Sequence, residues 1–582
     1  MRNLIPNIHI PLMEFADIEG RSYSPPPESD AEEEALDESE GLPTAKRSRL
    51  NSDASQEVLN GLLEWEQTFF ERISAAYPGS ASTFAASARR PLVLTESYAG
   101  VQTGSYAFKR QYAHLQKVHN AHESDVVLYS TWEINKNARA TQNSFPDGHR
   151  PIHSFGDIMG MLSVADQEEI NKLWRHASRA FDELGQCASS EASQLQGQEI
   201  ARSFQSEMHM FFENVQYNEF AYCRYHDRYC AISPRHPDAS VGWLGIAESG
   251  LWLELAGNTC CPWSGMNQNH SGGTAYLDYS SVIMYTWLYG VRFFQPDAVL
   301  QENVTRFDDT SLRVVLCDPA DEAVHAKDSC VPMPMSASEI QPTYSMLSVP
   351  VCPTVLRIPS RRPRSYNLLL LAGPHRWLLA AEGEDRIVLP GRLFPEDLSC
   401  TCDVYLRASP EMIDAAFVEL LEKTGVDASA PGGHDMTWGD VLQPGFRSRL
   451  IGWKRWARNH GIVTDDLPCA LVSLQWNAEW SKQIDSTTMP TFLKDSMLWD
   501  LKRGRLLTLE ESWVSMGWPL RGFSSNKALV DAMPLPVETM TSAMARPLIG
   551  NSMHVAAFGF VSAVFLGLAE TFVAGSANAA ES

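Results

Sequence analysis

PLVLTESYAG, residues 91–100, is a short apolar run that ends in a turn of Ser, Tyr, Ala and Gly. Such a run, stopped by glycine, reads as a buried strand feeding a tight turn. DVVLYSTWEI (125–134) repeats the pattern and closes on an acid, Glu133, and SFGDI (154–158) closes a third unit on Asp157. Strand, turn, helix and a further strand with an acid at its end is the grammar of a doubly wound α/β sheet that binds a nucleotide-like cofactor. The expected fold class is therefore α/β with a Rossmann-like sheet.

Working outward, Leu59, Leu62, Leu63, Phe69, Phe70 and Ile73 recur at helical spacing, and Tyr77-Pro78-Gly79 stops that helix. Past the third unit the pattern changes. Ser163 can cap a helix with Ile170, Leu173, Trp174, Ala177, Phe181 and Leu184 on one face. A second helix carries Ile200, Phe204, Met208, Phe211, Phe212 and Val215. Together they read as a helical insertion, 163–250, in a first domain of residues 54–373. Strands are expected to resume at LWLELAG (251–257), MYTWLYGVRFF (284–294), LRVVLCD (312–318) and YNLLLLAG (366–373). Residues 374–519 lack a βα rhythm and read as a second, smaller domain, and 520–582 as a return to the first.

A chain of 582 residues is too long for one compact core, and its 44% hydrophobic content is enough to build two. Residues 1–53 hold 12 acids and 5 bases, rich in Pro and Ser, and read as a disordered acidic tail. That tail accounts for −7 of the formal charge of −24, leaving −17 on the rest. A polyanionic partner therefore needs a local basic surface, because the mean field repels it. Lys46-Arg47-Ser48-Arg49 fits a nuclear import signal, and nuclear localisation is the expectation. Eleven scattered cysteines without a signal-peptide pattern point to free thiols in a reducing compartment. VAAFGFVSAVFLGLA (555–569) is uncharged but short of the roughly 20 residues of a membrane span, so a buried helix is expected and no membrane.

AGNTCCPWS (256–264) resembles the Pro-Cys loop of the C5-cytosine-specific DNA methyltransferases, roughly G-G-P-P-C-Q-G-F-S. Other segments follow in the family's order. TESYAGVQTG (95–104) resembles its first cofactor loop, WEINKNARATQN (132–143) its second motif, and GDI (156–158) its third. QENV (301–304) contains its Glu-Asn-Val, and IPSRRPRSY (358–366) is similar to P-Q-x-R-x-R-x-F. RGRLLTLEESWVSMGWP (503–519) resembles the R-x-L-T-x-x-E segment and GNSM (550–553) the closing G-N-S-V. These eight segments run through nearly all of the chain after residue 91, as in a divergent member.

The resemblance implies S-adenosyl-L-methionine as cofactor. Tyr98, Ala99, Gly100 and Gly104 would form its loop, Glu133 would accept the ribose hydroxyls, and Ile134 would pack on the adenine. Asp157 and Ile158 would meet the adenine edge, and Asn551 and Ser552 belong to the closing motif. It also implies catalysis by Cys260, Glu302, Arg362 and Arg364. A thiolate adding to C6 makes C5 enamine-like, an acid shares a proton with N3, and cationic donors favour thiolate and hold the base carbonyl. In the family the cysteine lies four residues before a serine, as Cys260 does before Ser264, so Cys261 falls at a glutamine's place. Asn258 and Thr259 replace the two usual prolines, Ser360 the glutamine before the arginines, and Gln102-Thr103 an early second glycine. With Cys260, Glu302 and both arginines retained, an active enzyme is expected.

GFRSRLIGWKRWARNHG (445–461) interleaves Arg447, Arg449, Lys454, Arg455 and Arg458 with Phe446, Trp453 and Trp456. Basic residues neutralise phosphates and aromatics stack on bases, although the core side of an amphipathic helix serves equally for the tryptophans. The expected partner is DNA, with the target cytosine flipped out of the duplex. A transfer-RNA cytosine methyltransferase of the same fold, and an inactive homologue that binds chromatin or a partner enzyme, stand as alternatives. The length of the recognition region favours DNA. CRYHDRYC (223–230) spaces Cys223, His226 and Cys230 as zinc ligands, but a structural site takes four, so no metal is expected.

Overall fold

The computed structural model describes residues 52–121, 126–185, 191–239, 250–258, 263, 272–317, 344–373, 375–381, 387–425 and 436–571. Its first nine strands are β1 (Leu92–Ser97), β2 (Val126–Trp132), β3 (His153–Phe155), β4 (Phe220–Cys223), β5 (Arg228–Ala231), β6 (Leu251–Gly257), β7 (Ala298–Val304), β8 (Tyr344–Val351) and β9 (Arg364–Leu371). Seven of them form one sheet in the order β3-β2-β1-β6-β7-β9-β8, and β4 and β5 pair as a separate hairpin. Neighbours are parallel except at β9, which runs antiparallel to both β7 and β8. This is a Rossmann-like α/β sheet.

Both faces of the sheet are covered, so its strands read as continuous apolar runs whose residues alternate between two cores. Ala298 and Leu300, Leu347, and Leu368 and Leu370 enter the first core, whereas Val299, Met346 and Leu369 enter the second. The first is closed by the helices Glu66–Ala76, Ser80–Ser87, Thr103–Val118 and Val555–Leu568. The second is closed by Val164–Gly185, Glu191–Asn214 and Tyr279–Phe294. Ser163 Oγ accepts the backbone N–H of Asp166 and starts the first of these, as its sequence signature requires.

Two of the expected strands are helices. MYTWLYGVRFF lies in the helix Tyr279–Phe294, and LRVVLC (312–317) in Thr310–Leu316 plus its flanking residue Cys317, while Asp318 lies outside the described residues. Residues 281–282 and 284–291 are all buried, so no polar face marks the period, and an apolar run of that kind does not distinguish strand from helix. Asp278 supplies the start signal, its Oδ1 accepting the Ser280 N–H at 2.9 Å. The sheet instead takes β7 and β8, and β7 carries Glu302.

Within 374–519, a three-stranded sheet of Leu471–Ser473, Leu498–Asp500 and Arg505–Leu506 packs a small core with Leu442, Leu450, Trp453 and Trp499. Trp377, Phe394 and Tyr405 join the first core of the main sheet, and the chain from Asn51 onward forms one compact unit. Every residue of the helix Val555–Leu568 is buried. The stretch Ser542–Leu568 is long and apolar enough to cross a membrane by length and composition, and 94% of its most apolar window is buried inside the fold.

Candidate active site at the switch point of the sheet

Strand order reverses between β1 and β6, and the crevice beyond the carboxyl ends of strands at such a point is where ligands bind in open α/β sheets. The loop leaving β1 is tightly wound, with φ of 56° at Tyr98, 51° at Gly100 and 58° at Gln102. Left-handed backbone at Tyr98 and Gln102 is strained and persists only where the surroundings impose it. Two bonds do so here: the Ala99 N–H donates to Trp132 O at 3.2 Å, and the Tyr98 hydroxyl donates to Ile283 O at 2.9 Å.

Glu133 follows β2 beside this loop. Its Oε2 accepts the Gly100 N–H and its Oε1 the Asn135 N–H, each at 2.7 Å. A carboxylate has about four lone-pair sites, so two remain for a ligand's hydroxyls. Burial raises the pKa of Glu133, opposed by those backbone bonds. Ile134 is 67% exposed, an apolar side chain held open next to the carboxylate, as an adenine platform requires. Asp157 caps a short 3-10 turn through Oδ1, which accepts the Met159 N–H at 3.0 Å, and burial raises its pKa also. Ile158 is buried in the second core.

Gly104 faces inward. A Cβ there would lie 2.9 Å from Glu96 Oε1, because the Glu96 carboxylate accepts the N–H groups of Gly104 and Ser105 at 3.2 and 3.3 Å. Glu96 thus caps the helix Thr103–Val118 from inside the sheet, where the helix dipole favours negative charge. It is fully buried, and desolvation lifts its pKa to about 7. Sequence reasoning passed over Glu96; the signal was an acid inside an otherwise apolar strand.

The second half of the site lies at the ends of β6 and β7. Gly257 pairs with Glu302 in register, and a Cβ on Gly257 would lie 3.9 Å from Glu302 Oε2, 3.7 Å from Tyr98 O and 2.7 Å from Met553 Cε. The Glu302 carboxylate, the loop leaving β1 and the segment after Ser552 therefore converge on one point. Arg364 Nε lies 2.8 Å from Glu302 Oε1, with both side chains about nine-tenths buried. Arg362 does something else: it donates from Nη1 to Phe492 O at 3.3 Å and from Nη2 to Gly550 O at 3.0 Å, tying chain segments together. Among the described residues, Arg364 is the one of these two arginines that pairs with Glu302. Cys260, three residues beyond Gly257, and its neighbour Cys261 lie outside the described residues.

Asn551 is exposed at the end of its helix, whereas Ser552 is buried and donates to Ile549 O at 3.0 Å. Met553, the segment's contribution to the convergence point, is the last residue of the GNSM motif, at the place of the valine in G-N-S-V. The basic stretch forms the helix Pro444–Asn459. Arg447, Lys454, Arg455 and Arg458 are exposed at spacings that share one face, and Arg449 is half-buried, donating to Leu474 O at 3.1 Å. Trp453 is fully buried in the small core and Trp456 half-buried against His460, so Trp453 is a core residue. Cys223, His226 and Cys230 come together on the hairpin β4–β5.

The sequence matches no family model and no curated protein. Among solved structures the chain is similar to the Dnmt2 methyltransferase of S. pombe, at 13% identity and a TM-score of 0.34, covering 82% of this chain and 98% of that one. It is similar to the Entamoeba histolytica methyltransferase EhMeth, at 12% identity and a TM-score of 0.34, covering 82% and 98%. A prophage-encoded methyltransferase of E. coli gives 12% identity and a TM-score of 0.37 over 82% and 99%.

Proposed function

We propose that this chain is a DNA (cytosine-5-)-methyltransferase, using S-adenosyl-L-methionine and a covalent bond from Cys260 to a flipped cytosine. The observation that carries the reading is the convergence at Gly257: the Glu302–Arg364 pair, the Tyr98–Gln102 loop and Met553 meet three residues before Cys260 in the chain. The cofactor supplies an electrophilic methyl group. Glu133 and Asp157 fit it through acceptor positions left over from their backbone bonds, and exposed Ile134 offers an apolar face.

The protein's own groups do the rest. Cys260 forms its S–C6 bond as thiolate, electron density moves toward N3, and Glu302 shares a proton there. Arg364 holds the Glu302 carboxyl in place. Once C5 carries the methyl group, loss of the C5 proton and breakage of the S–C6 bond restore the aromatic ring and the thiolate. The exposed Arg447, Lys454, Arg455 and Arg458 supply phosphate contacts that the −24 average charge denies elsewhere. Lys46-Arg47-Ser48-Arg49, outside the described residues, fits nuclear import of such an enzyme.

A duplex carrying 5-fluorocytosine tests this, with an RNA of the same sequence and a transfer RNA as parallel arms. After methyl transfer no proton remains at C5, elimination is blocked and the adduct survives a denaturing gel. A shifted band is expected with DNA, lost in Cys260→Ala and kept in Cys261→Ala. A band that survives Cys260→Ala and vanishes in Cys261→Ala would move the nucleophile by one residue. A band only with RNA would reassign the substrate, and none at all with DNA still bound would make the chain a non-catalytic binder.

A further inference from the structure

CRYHDRYC shows three ligand-type side chains, and the fold supplies the fourth from another element. His153 opens β3, the edge strand of the sheet, and the hairpin β4–β5 docks beside it, with the Arg224 N–H donating to Ser154 O at 2.8 Å. Ligand atoms of His153, Cys223, His226 and Cys230 all lie within 4.8 Å of one another. His226 Nδ1 is 3.6 Å from Cys223 Sγ and 3.5 Å from Cys230 Sγ. A tetrahedral ion with Zn–S of about 2.3 Å and Zn–N of about 2.0–2.1 Å spaces its donor atoms roughly 3.3–3.8 Å apart, so the cluster needs only small closure.

A second observation points to a ligand. His153 is 4% exposed, and neither of its ring nitrogens hydrogen-bonds to any group among the described residues. Leaving both nitrogens of a buried imidazole unsatisfied is costly, and a metal at one of them removes much of that cost. Its ring stands edge-on to His226, with centroids 4.9 Å apart at 71°. Cys223 and Cys230 are buried, and His226 is exposed, which leaves an entry path from solvent. Two thiolates and two imidazoles in a tetrahedral set select zinc over oxygen-seeking calcium or magnesium.

We propose that His153, Cys223, His226 and Cys230 bind one structural Zn²⁺ that staples the hairpin to β3. The staple sits four residues before Asp157 in the chain, and Arg224, inside the hairpin turn, presses on Gly156, where an added Cβ would lie 2.8 Å from its Nε. The ion thus holds the backbone that presents Asp157, and the inference stands whether or not the cofactor reading does.

The test uses untagged full-length protein. Elemental analysis is expected to find about one equivalent of zinc per chain. Replacing it with Co²⁺ is expected to give the d–d bands of a tetrahedral ion and a thiolate-to-cobalt charge-transfer band. Cys230→Ser and His153→Gln are each expected to lose most of the metal and the charge-transfer or d–d intensity. Metal-free wild type with both thiols titrating, a Cys223–Cys230 disulfide in the purified chain, or full zinc retention in both variants would each overturn the proposal. Because the cobalt spectrum is read on wild type, a variant that fails to fold does not shelter it.

Discussion

The buried carboxyl of Glu96 makes stability depend on pH in a direction opposite to the usual acid. Its pKa rises from 4.5 to about 7 on folding because burial disfavours the charge more than the bonds from Ser105 and Gly104 favour it. The folded state therefore holds this proton across a range where the unfolded chain has released it. The stabilising contribution is complete below about pH 4.5 and is lost as pH rises through about 7. The interval of about 2.5 pH units, at about 1.36 kcal/mol each, amounts to roughly 3 kcal/mol. Glu96→Gln cannot ionise, but it turns an NH₂ toward one of the two helix N–H groups and gives up a bond of about 1 kcal/mol. The variant is expected to be about as stable as wild type at pH 5, where part of the proton-linked stabilisation is already lost, and more stable at pH 8 by about 2 kcal/mol. Urea unfolding of both proteins at pH steps from 5 to 8 measures this, and taking their difference cancels the other titrating groups. A difference that stays flat with pH would refute the reasoning, because it would mean that Glu96 is ionised in the fold throughout.

Glu133→Ala is expected to weaken S-adenosylmethionine binding by roughly one to two orders of magnitude without unfolding, since a charge-assisted hydrogen bond is worth about 1.5–3 kcal/mol; titration calorimetry reads it. Replacing Lys454, Arg455 and Arg458 together with Ala is expected to flatten the salt dependence of DNA binding by up to about 0.9 log unit for each phosphate no longer neutralised; an unaltered slope would leave the helix as a solvated face. Arg362→Met is expected to lower stability by about 2–4 kcal/mol, because it abandons buried carbonyls of Phe492 and Gly550. Arg364→Ala leaves the buried Glu302 carboxylate without its partner, so it is expected to lower stability by about 3–5 kcal/mol and also to slow covalent trapping by fluorocytosine DNA; equal slowing of trapping in the folded fraction of both variants would erase the distinction between the two arginines.

The central strands and the acids that follow them were legible because their signal is local. PLVLTESYAG and DVVLYSTWEI are apolar runs stopped by turn residues, and the fold needed nothing else to make them β1 and β2. The helix Tyr279–Phe294 was not legible as a helix, since burial on nearly every side erases the polar period that reveals one. Arg362 and Arg364 look equivalent in RRPR, yet one lies just before β9 and the other is its first residue. They serve different neighbours for that reason, and only the start of the strand tells them apart. His153 was invisible as a ligand because its partners lie on a hairpin that follows the two long helices of the insertion. Glu96 escaped because nothing in TESYAG shows that its side chain points under the next helix.

The helix Val555–Leu568 lies near the end of the sequence, yet its partners are the helices of residues 66–118. During synthesis the sheet is therefore laid down with one face lacking part of its cover until residue 568 has left the ribosome. Once Leu368 has been made, a nascent chain presents Leu92, Leu94, Leu300 and Leu368 beside an incompletely filled core until this helix follows. Chaperone demand should thus peak late and fall abruptly as this helix arrives. A stop codon just before it would yield a product that holds the residues of the candidate site and lacks the segment that closes its core.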